Sequence, residues 1–353
     1  MQNRKRILVA PLNWGLGHAT RCIPIIEALE NHGFEPVIAS DGNALSLLRK
    51  EFPHLLAIEL PPYQIEYAKN GTFFKLKLMK QIPNMMGAIR RENVLVQKII
   101  REYAIAGLIS DNRLGVFSRN IPSVFITHQL NVLTGNTTWF TSRIHQLFIK
   151  RYNECWVPDV KNSPNLSGKL GHTTKNGLKV KYIGPLSRLH KKPLQKKYDL
   201  MAILSGPEPQ RTMLEEKLSS ELIHYKGKVI FIKGIVEQEE KVTVKDNITF
   251  YNFMNTAALE QAFNESEQVL CRSGYTTIMD LAQLGKKAFF IPTPGQYEQE
   301  YLAHKLKKTG LVPYARQNAF KVEDLETITL YKGLKNLGSA MRWKDLFCLF
   351  EGE

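Results

Sequence analysis

No metal-binding cysteine spacing occurs in this 353-residue chain. Its four cysteines, Cys22, Cys155, Cys271 and Cys348, lie far apart without a C-x-x-C pair. That excludes a zinc finger or ribbon and fits a reducing compartment. No apolar run approaches the roughly 20 residues that a membrane span needs. The run Ile7–Ala10, behind a basic start, is too short for a signal peptide. A cytoplasmic protein is therefore expected, and Asn136 in its Asn-x-Thr setting is read as no glycosylation site. Internal repeats and low-complexity tracts are also missing. Acid is in short supply, with 33 Asp and Glu against 48 Lys and Arg and a net charge of +15.

Nucleic acid, an anionic membrane surface and an acidic substrate all suit such a charge. No recognisable nucleic-acid-binding module is present, and the lysines are not interleaved with aromatics in any repeat, so nucleic acid is not the expected partner. The basic excess concentrates at 69–101, where Phe73, Phe74, Met79, Met85 and Met86 mix with Lys75, Lys77, Lys80, Arg90 and Arg91. An interfacial helix on anionic lipid and a core-facing helix with a solvated lysine face fit this segment equally. On the first reading the protein is peripheral at the inner face of the plasma membrane.

The charged and hydrophobic fractions are those of a folded protein, and the length suits two domains. Buried strands alternate with helices from the start. Ile7–Pro11 is a strand, Ala19–Asn31 a helix closed by Gly33, and Pro36–Ala39 a second strand. Short apolar runs at Gly107–Ser110, Ser123–Thr127 and Cys155–Pro158 continue the pattern. An aperiodic Pro- and Lys-rich stretch follows, from Tyr182 to Lys197, and reads as a linker. Alternation then restarts at Leu200–Leu204 and runs to Ala288–Ile291, and Leu337–Phe350 has the spacing of a terminal helix. The expected class is α/β, two Rossmann-like parallel-sheet domains facing a central cleft. Their bounds are 1–185 and 186–334, with 335–353 packing back on the first domain. Ligands of such sheets bind outside the strands' carboxyl ends.

Two loops carry the site expectation. In the first, Gly15-Leu-Gly17-His18-Ala-Thr20-Arg21 joins a strand to a helix. Its glycines admit close backbone approach, and His18 and Arg21 are expected to face one opening. The positive end of the helix dipole favours a neutral imidazole, which can accept a proton as a general base must. A histidine that merely closes the turn is the plainer reading. Gly15-x-Gly17-x-x-Thr20 with Asp41 also approaches a dinucleotide fingerprint, but the third glycine is missing. In the second loop, Cys271-Arg272-Ser273-Gly274-Tyr275-Thr276-Thr277 ends a strand and opens a helix bearing Asp280. There free N–H groups and the dipole favour an anion such as a diphosphate, although an ordinary capped turn uses the same residues.

Ser205 and Gly206 follow the restarted first strand, but Pro207, Pro209 and Glu208 make that turn a poor phosphate cradle. Glu298, Gln299 and Glu300 enter a helix after Pro292-Thr-Pro-Gly-Gln-Tyr297 and suit sugar hydroxyls, or equally complement that helix's dipole. Asp111, Asn112, Arg113, His128 and Gln129 are further polar candidates at strand ends. No D-x-D pair is present to hold a divalent metal against a diphosphate, so neither metal nor cofactor is expected.

Taken together, these motifs resemble the GT-B glycosyltransferases of family 28, which include the enzyme that adds N-acetylglucosamine to the lipid-linked peptidoglycan precursor. Gly15-Leu-Gly17-His18 is similar to that family's first loop. Cys271-Arg272-Ser273-Gly274 with Thr277 and Asp280 is similar to its C-terminal signature, and Pro292 and Gln299-Glu300 to its later positions. The resemblance implies that Ser273, Gly274, Tyr275, Thr276 and Thr277 hold the diphosphate of a nucleotide sugar. It further implies that Asp280 holds the ribose, that Gln299 and Glu300 touch the donor sugar, and that the N-terminal domain takes a hydroxyl acceptor beside His18. Glu300 in place of glutamine and Asp280 in place of glutamate depart from the pattern. Gly-x-Gly-His-x-x-Arg is also similar to the nucleotide-sugar hydrolase of pseudaminic acid synthesis, and nucleotide-sugar 2-epimerases share the scaffold. Transfer of a hexose or N-acetylhexosamine from a UDP-sugar, possible acceptors including a lipid-linked one, is the expectation. Hydrolysis, epimerisation or non-catalytic nucleotide-sugar binding is the alternative.

Overall fold

In the computed structural model, residues 4–63, 74–133, 138–173, 177–235, 239–334 and 342–352 are described, the side chains of 74–84 excepted. Seven parallel strands form the first sheet: β1 (Arg6–Pro11), β2 (Glu35–Ser40), β3 (Ala57–Glu59), β4 (Ile105–Asp111), β5 (Ser123–Ile126), β6 (Glu154–Val157) and β7 (Val180–Tyr182), in the order β3-β2-β1-β4-β5-β6-β7. Its central strands are apolar runs without alternation, as strands covered on both faces must be. The covering helices are α1 (Gly17–Asn31), α2 (Gly42–Glu51), α3 (Phe74–Glu102) and α4 (Thr138–Ile149).

The second sheet is built from β8 (Tyr198–Ile203), β9 (Val229–Ile232), β10 (Val242–Lys245), β11 (Ile248–Tyr251), β12 (Ser266–Cys271) and β13 (Lys287–Phe290), in the order β10-β11-β9-β8-β12-β13. Helices α5 (Gln210–Leu222), α6 (Thr256–Glu265), α7 (Tyr275–Leu284) and α8 (Tyr297–Lys308) accompany it, with a 3-10 helix at Val322–Leu330. Both sheets are Rossmann-like, and in both the order reverses beside the first strand. That reversal opens a crevice at the carboxyl ends of β1 and β4 in one domain and of β8 and β12 in the other.

Helix α7 stops where the apolar period of its sequence stops. Gly285 takes φ 65°, and its N–H and that of Lys286 close onto Ala282 and Leu281 carbonyls. Strand β10 has no counterpart among the sequence expectations. All four of its residues are exposed and it pairs antiparallel at the sheet edge, so it carries no apolar run to announce it.

The stretch read as a linker is not free chain. Leu186 and Leu189 are buried, and the amides of His190 and Lys192 donate to Glu260 and Asn264 on α6. Its lack of periodicity reflects an irregular path, not a solvated one. The last helix, α9 (Trp343–Glu351), returns to the first domain, while 335–341 of the expected segment lie outside the described residues. Phe347 and Phe350 pack edge-on against Phe34, and both rings approach Trp156. Gly107 makes the room: a Cβ there would stand 2.7 Å from Phe350 Cε1. In α3 the residues Ile89, Glu92, Val96 and Ile99 face inward, and Arg90 and Arg91 are exposed. Residues 69–73 lie outside the described residues. Among the described residues no helix is long and apolar enough to cross a membrane.

Candidate functional site

His18 stands in the first turn of α1, directly beyond the carboxyl end of β1. Beside β1 runs β4, and its last residue is Asp111, paired in register with Pro11. This neighbourhood brings two residues 93 apart in sequence into contact: His18 Nδ1 lies 2.9 Å from Asp111 Oδ1. Asp111 is wholly buried, and Arg21, one turn along α1, donates to both of its oxygens. Arg21 Nη2 also lies 2.9 Å from His18 Nδ1, and Nη1 lies 3.1 Å from His128 Nδ1.

Burial is the main cause that lowers the His18 pKa; Asp111 opposes it and Arg21 reinforces it. His18 is therefore neutral near pH 7 and has one ring proton to place. We assign that proton to Nδ1, where it is donated to Asp111, leaving the lone pair on Nε2. The His18 side chain keeps 14% exposure, so a substrate hydroxyl has access to the ring. Asp111 itself is held far below the usual carboxylate range: burial would raise it, but Arg21 and His18 overcome that.

Arg21 does not share the opening with His18, as the loop pattern suggested. It is only 1% exposed, and Asp111 and His128 occupy its guanidinium. The near-dinucleotide reading also loses its acid, because Asp41 is bonded to Arg113 and Asn13. Arg113 is buried among Asp41, Glu92 and the Pro61 carbonyl, which makes it scaffold. Gly15 adopts φ 74° and so bends the loop as only glycine does easily.

Opposite this loop stands the start of α7. Gly274 is its N-cap residue, and no side chain caps the first turn. The Thr276 hydroxyl lies 3.4 Å from the Gly17 carbonyl, so the two glycine loops touch across the cleft. A Cβ on Gly17 would come within 2.7 Å of Thr276 Oγ1. Thr276 thus meets Gly17, the residue before His18.

The Ser273 and Tyr275 side chains are engaged elsewhere. The Ser273 hydroxyl donates to the Gln299 carbonyl at 2.8 Å, fixing the start of α8. Tyr275 is buried, stacks on His128 with centroids 4.1 Å apart, and donates its hydroxyl to the Pro158 carbonyl at 2.8 Å. Arg272, also buried, binds the carbonyls of Ile291, Pro292 and Gln210, tying β12, β13 and α5 together.

The remaining expected residues lie after β8, on α7 and in the first turn of α8. Ser205 and Gly206 are exposed at the end of β8, Gly206 at φ 105° beside Thr293. Gln299 accepts from the Thr293 amide at 2.9 Å, and Glu300 from the Gly295 amide at 3.0 Å, so both shape the loop after β13. Asp280 accepts from the Ser187 hydroxyl at 2.6 Å, and burial pushes its pKa up to about 6 despite Ser187 and Arg188. Both oxygens of Glu298 are engaged, although its side chain keeps 32% exposure. His128 Nε2 lies 2.7 Å from its Oε1, and Gln129 donates to its Oε2. Sequence reasoning named Asp111, His128 and Gln129 only as polar strand-end residues. Among the described residues, no group of three or more His, Cys, Asp or Glu side chains is placed to hold a metal ion.

Residues 208–341 match the glycosyltransferase family 28 C-terminal domain. The chain is 23% identical over 265 residues to the UDP-N-acetylglucosamine–N-acetylmuramyl-(pentapeptide) pyrophosphoryl-undecaprenol N-acetylglucosamine transferase of Haemophilus ducreyi, covering 72% of this chain and 68% of that protein. Among solved structures, MurG of Acinetobacter baumannii superposes with a TM-score of 0.59 at 13% identity, covering 98% of this chain and 99% of that one. The spinosyn rhamnosyltransferase SpnG complexed with thymidine diphosphate gives 0.60 at 13% identity, covering 98% and 95%. With that C-terminal match and two parallel-sheet domains meeting across a cleft, the chain is a family 28-like glycosyltransferase of the GT-B fold.

Proposed function

We propose that the protein transfers a hexose or N-acetylhexosamine from a nucleotide diphosphate sugar, with a UDP-sugar as the favoured donor, to a hydroxyl acceptor. The observation that carries this reading is the His18–Asp111 pair facing the uncapped start of α7. His18 Nε2 takes the proton of the acceptor hydroxyl, whose oxygen bonds to the anomeric carbon. The bond from that carbon to the diphosphate breaks, and the electron pair leaves with the diphosphate. The N–H groups at Gly274–Thr277 and the α7 dipole oppose that growing charge, the kind of preorganised stabilisation that supplies much of an enzyme's rate. No step requires a metal or cofactor.

In this reading 1–185 takes the acceptor, 186–334 the donor, and 335–353 ties back to the first domain. Asp280 is the ribose ligand, and Ser205, Gly206, Gln299 and Glu300 line the donor wall. The UDP donor is favoured because the Haemophilus ducreyi relative is named for UDP-N-acetylglucosamine, whereas the spinosyn enzyme holds thymidine diphosphate. The same relative's undecaprenol-linked acceptor makes a lipid-linked acceptor, and peripheral attachment through 69–101, the first to test. Replacing Lys75, Lys77, Lys80, Arg90 and Arg91 by Glu should then abolish binding to anionic vesicles, and unchanged binding refutes that attachment.

UDP-sugar consumption followed with and without cell lipid extract tests the transfer. Consumption that needs extract supports it, consumption without extract means hydrolysis, and binding without consumption means a receptor. His18→Ala should lower turnover by roughly 10²–10⁴-fold with nucleotide affinity nearly unchanged. Full activity in that variant removes His18 from the chemistry.

A further inference from the structure

The two domains are joined beside His18 by more than packing. Glu298 opens α8 in the second domain, and both of its carboxylate oxygens are taken by first-domain residues that follow β5. His128 passes the contact inward. Its Nε2 lies 2.7 Å from Glu298, and its Nδ1 lies 3.1 Å from Arg21 Nη1. Arg21 in turn grips both oxygens of Asp111, which holds His18. The donors and acceptors from Glu298 through His128 to Arg21 leave one consistent arrangement. Glu298 can only accept, so His128 donates from Nε2. With its proton on Nε2, His128 presents a lone pair at Nδ1, where the Arg21 guanidinium donates.

We propose that Glu298 is a positioning residue that completes the His18 base from the opposite domain, acting through His128 and Arg21. The inference rests on the reading of His18 as the base. When the domains part, the Glu298 carboxylate is withdrawn. His128 is then free to move its proton to Nδ1, where it opposes Arg21 donor to donor, and the grip on Asp111 loosens. Closure over the donor therefore sets the acceptor base, so that proton abstraction waits for a loaded cleft.

Charge favours the same conclusion. The groups facing His18 are Asp111 from β4, Arg21 from α1 and His128 from the loop after β5, with Cys22 directed at Asp111 and Glu298 beyond His128. With His18 neutral, the Arg21 guanidinium stands among the carboxylates of Asp111 and, beyond His128, Glu298. Proton uptake by His18 adds one positive charge, which the Glu298 carboxylate helps to offset and a neutral side chain at 298 would not. The Glu298 carboxylate stays ionised: burial opposes this, but the hydrogen bond from His128 and the Arg21 charge help to hold its pKa below the usual value.

The test uses full-length protein with ¹³C-labelled histidine, the His18 resonance being identified by its loss in His18→Gln. The His18 titration is followed in the parent, in Glu298→Gln and in Asp111→Asn, with thermal unfolding confirming that each variant is folded. Loss of one negative charge destabilises imidazolium, so the Glu298→Gln midpoint should move down by roughly half a pH unit or more. Glu298→Asp, which keeps the charge, should recover part of it. Turnover in Glu298→Gln should fall by about 5–100-fold, with the acidic limb of the kcat profile displaced to lower pH and the donor KM little changed. A His18 midpoint that moves in Asp111→Asn but not in Glu298→Gln overturns the proposal. So does a raised donor KM with an unmoved limb, which would put Glu298 on the donor sugar. Full turnover in His18→Gln sinks the base assignment instead, and the labelled titration keeps the two failures apart.

Discussion

With Asp280 as the proposed ribose ligand, its burial sets stability against binding, and Asp280→Asn should separate the two. The Asp280 carboxyl accepts the Ser187 hydroxyl and has a folded-state pKa pushed by burial from 3.8 to about 6. Below pH 3.8 the group is protonated in folded and unfolded chains alike, and asparagine, an equally neutral side chain with the same acceptor oxygen, should be nearly neutral in effect. As pH rises through 6 the folded chain must hold a buried charge that the unfolded chain leaves in water, so the stability contribution of the protonated form is lost. A gap of about two pH units corresponds to about 3 kcal/mol at most, and partial solvent access reduces it to about 1–3 kcal/mol. Urea unfolding of parent and variant at pH 4 and pH 8 measures the difference, followed on the transition of the second domain. The variant should match the parent at pH 4 and exceed it at pH 8. Nucleotide affinity should change the other way. A carboxylate that accepts ribose hydroxyls gives charged hydrogen bonds of about 1.5–3 kcal/mol, so calorimetry at pH 8 should find roughly 10–100-fold weaker UDP binding in the variant. Equal destabilisation by Asp280→Asn at both pH values would refute the burial argument. A stabilised variant with unchanged affinity would refute the ribose role alone.

Asp111→Ala leaves the Arg21 guanidinium buried without its carboxylate, and about 3–5 kcal/mol of stability should disappear at pH 7 by denaturant unfolding. Because the Asp111 pKa is depressed on folding, its contribution is present above pH 4 and fades as pH falls toward its folded value, so the gap between parent and variant should narrow in acid. Gly17→Val places carbon against Thr276 across the cleft. Unfolding midpoints should change little while turnover falls, and Thr276→Ala in the same chain should restore part of it; no loss of turnover would mean that the two loops need not meet.

What was legible from the residues was whatever a single element carries. The strand–loop–helix passages at Gly15–Arg21 and Cys271–Asp280 declare themselves because small residues interrupt apolar runs at a fixed place in a βα unit, and Gly285 ends α7 where the apolar period ends. Asp111 could not be read this way. Its meaning depends on β4 lying next to β1, although one strand begins about 100 residues after the other, and an acid ending a strand is otherwise an ordinary turn residue. The partners of Glu298 are hidden in the sequence for a related reason. In sequence it is an acid in the first turn of a helix, where the dipole alone explains it. Only when α8 is set against the loop after β5 does its carboxylate meet His128 and Gln129. Tyr275 shows the same limit inside a motif that was otherwise recognised: its backbone belongs to the anion loop, while its ring belongs to the opposite domain. A motif thus assigns positions to a backbone path, but the partner of each side chain is chosen by strand order and domain closure. The residues that couple the two domains are therefore the ones that a one-dimensional reading assigns last.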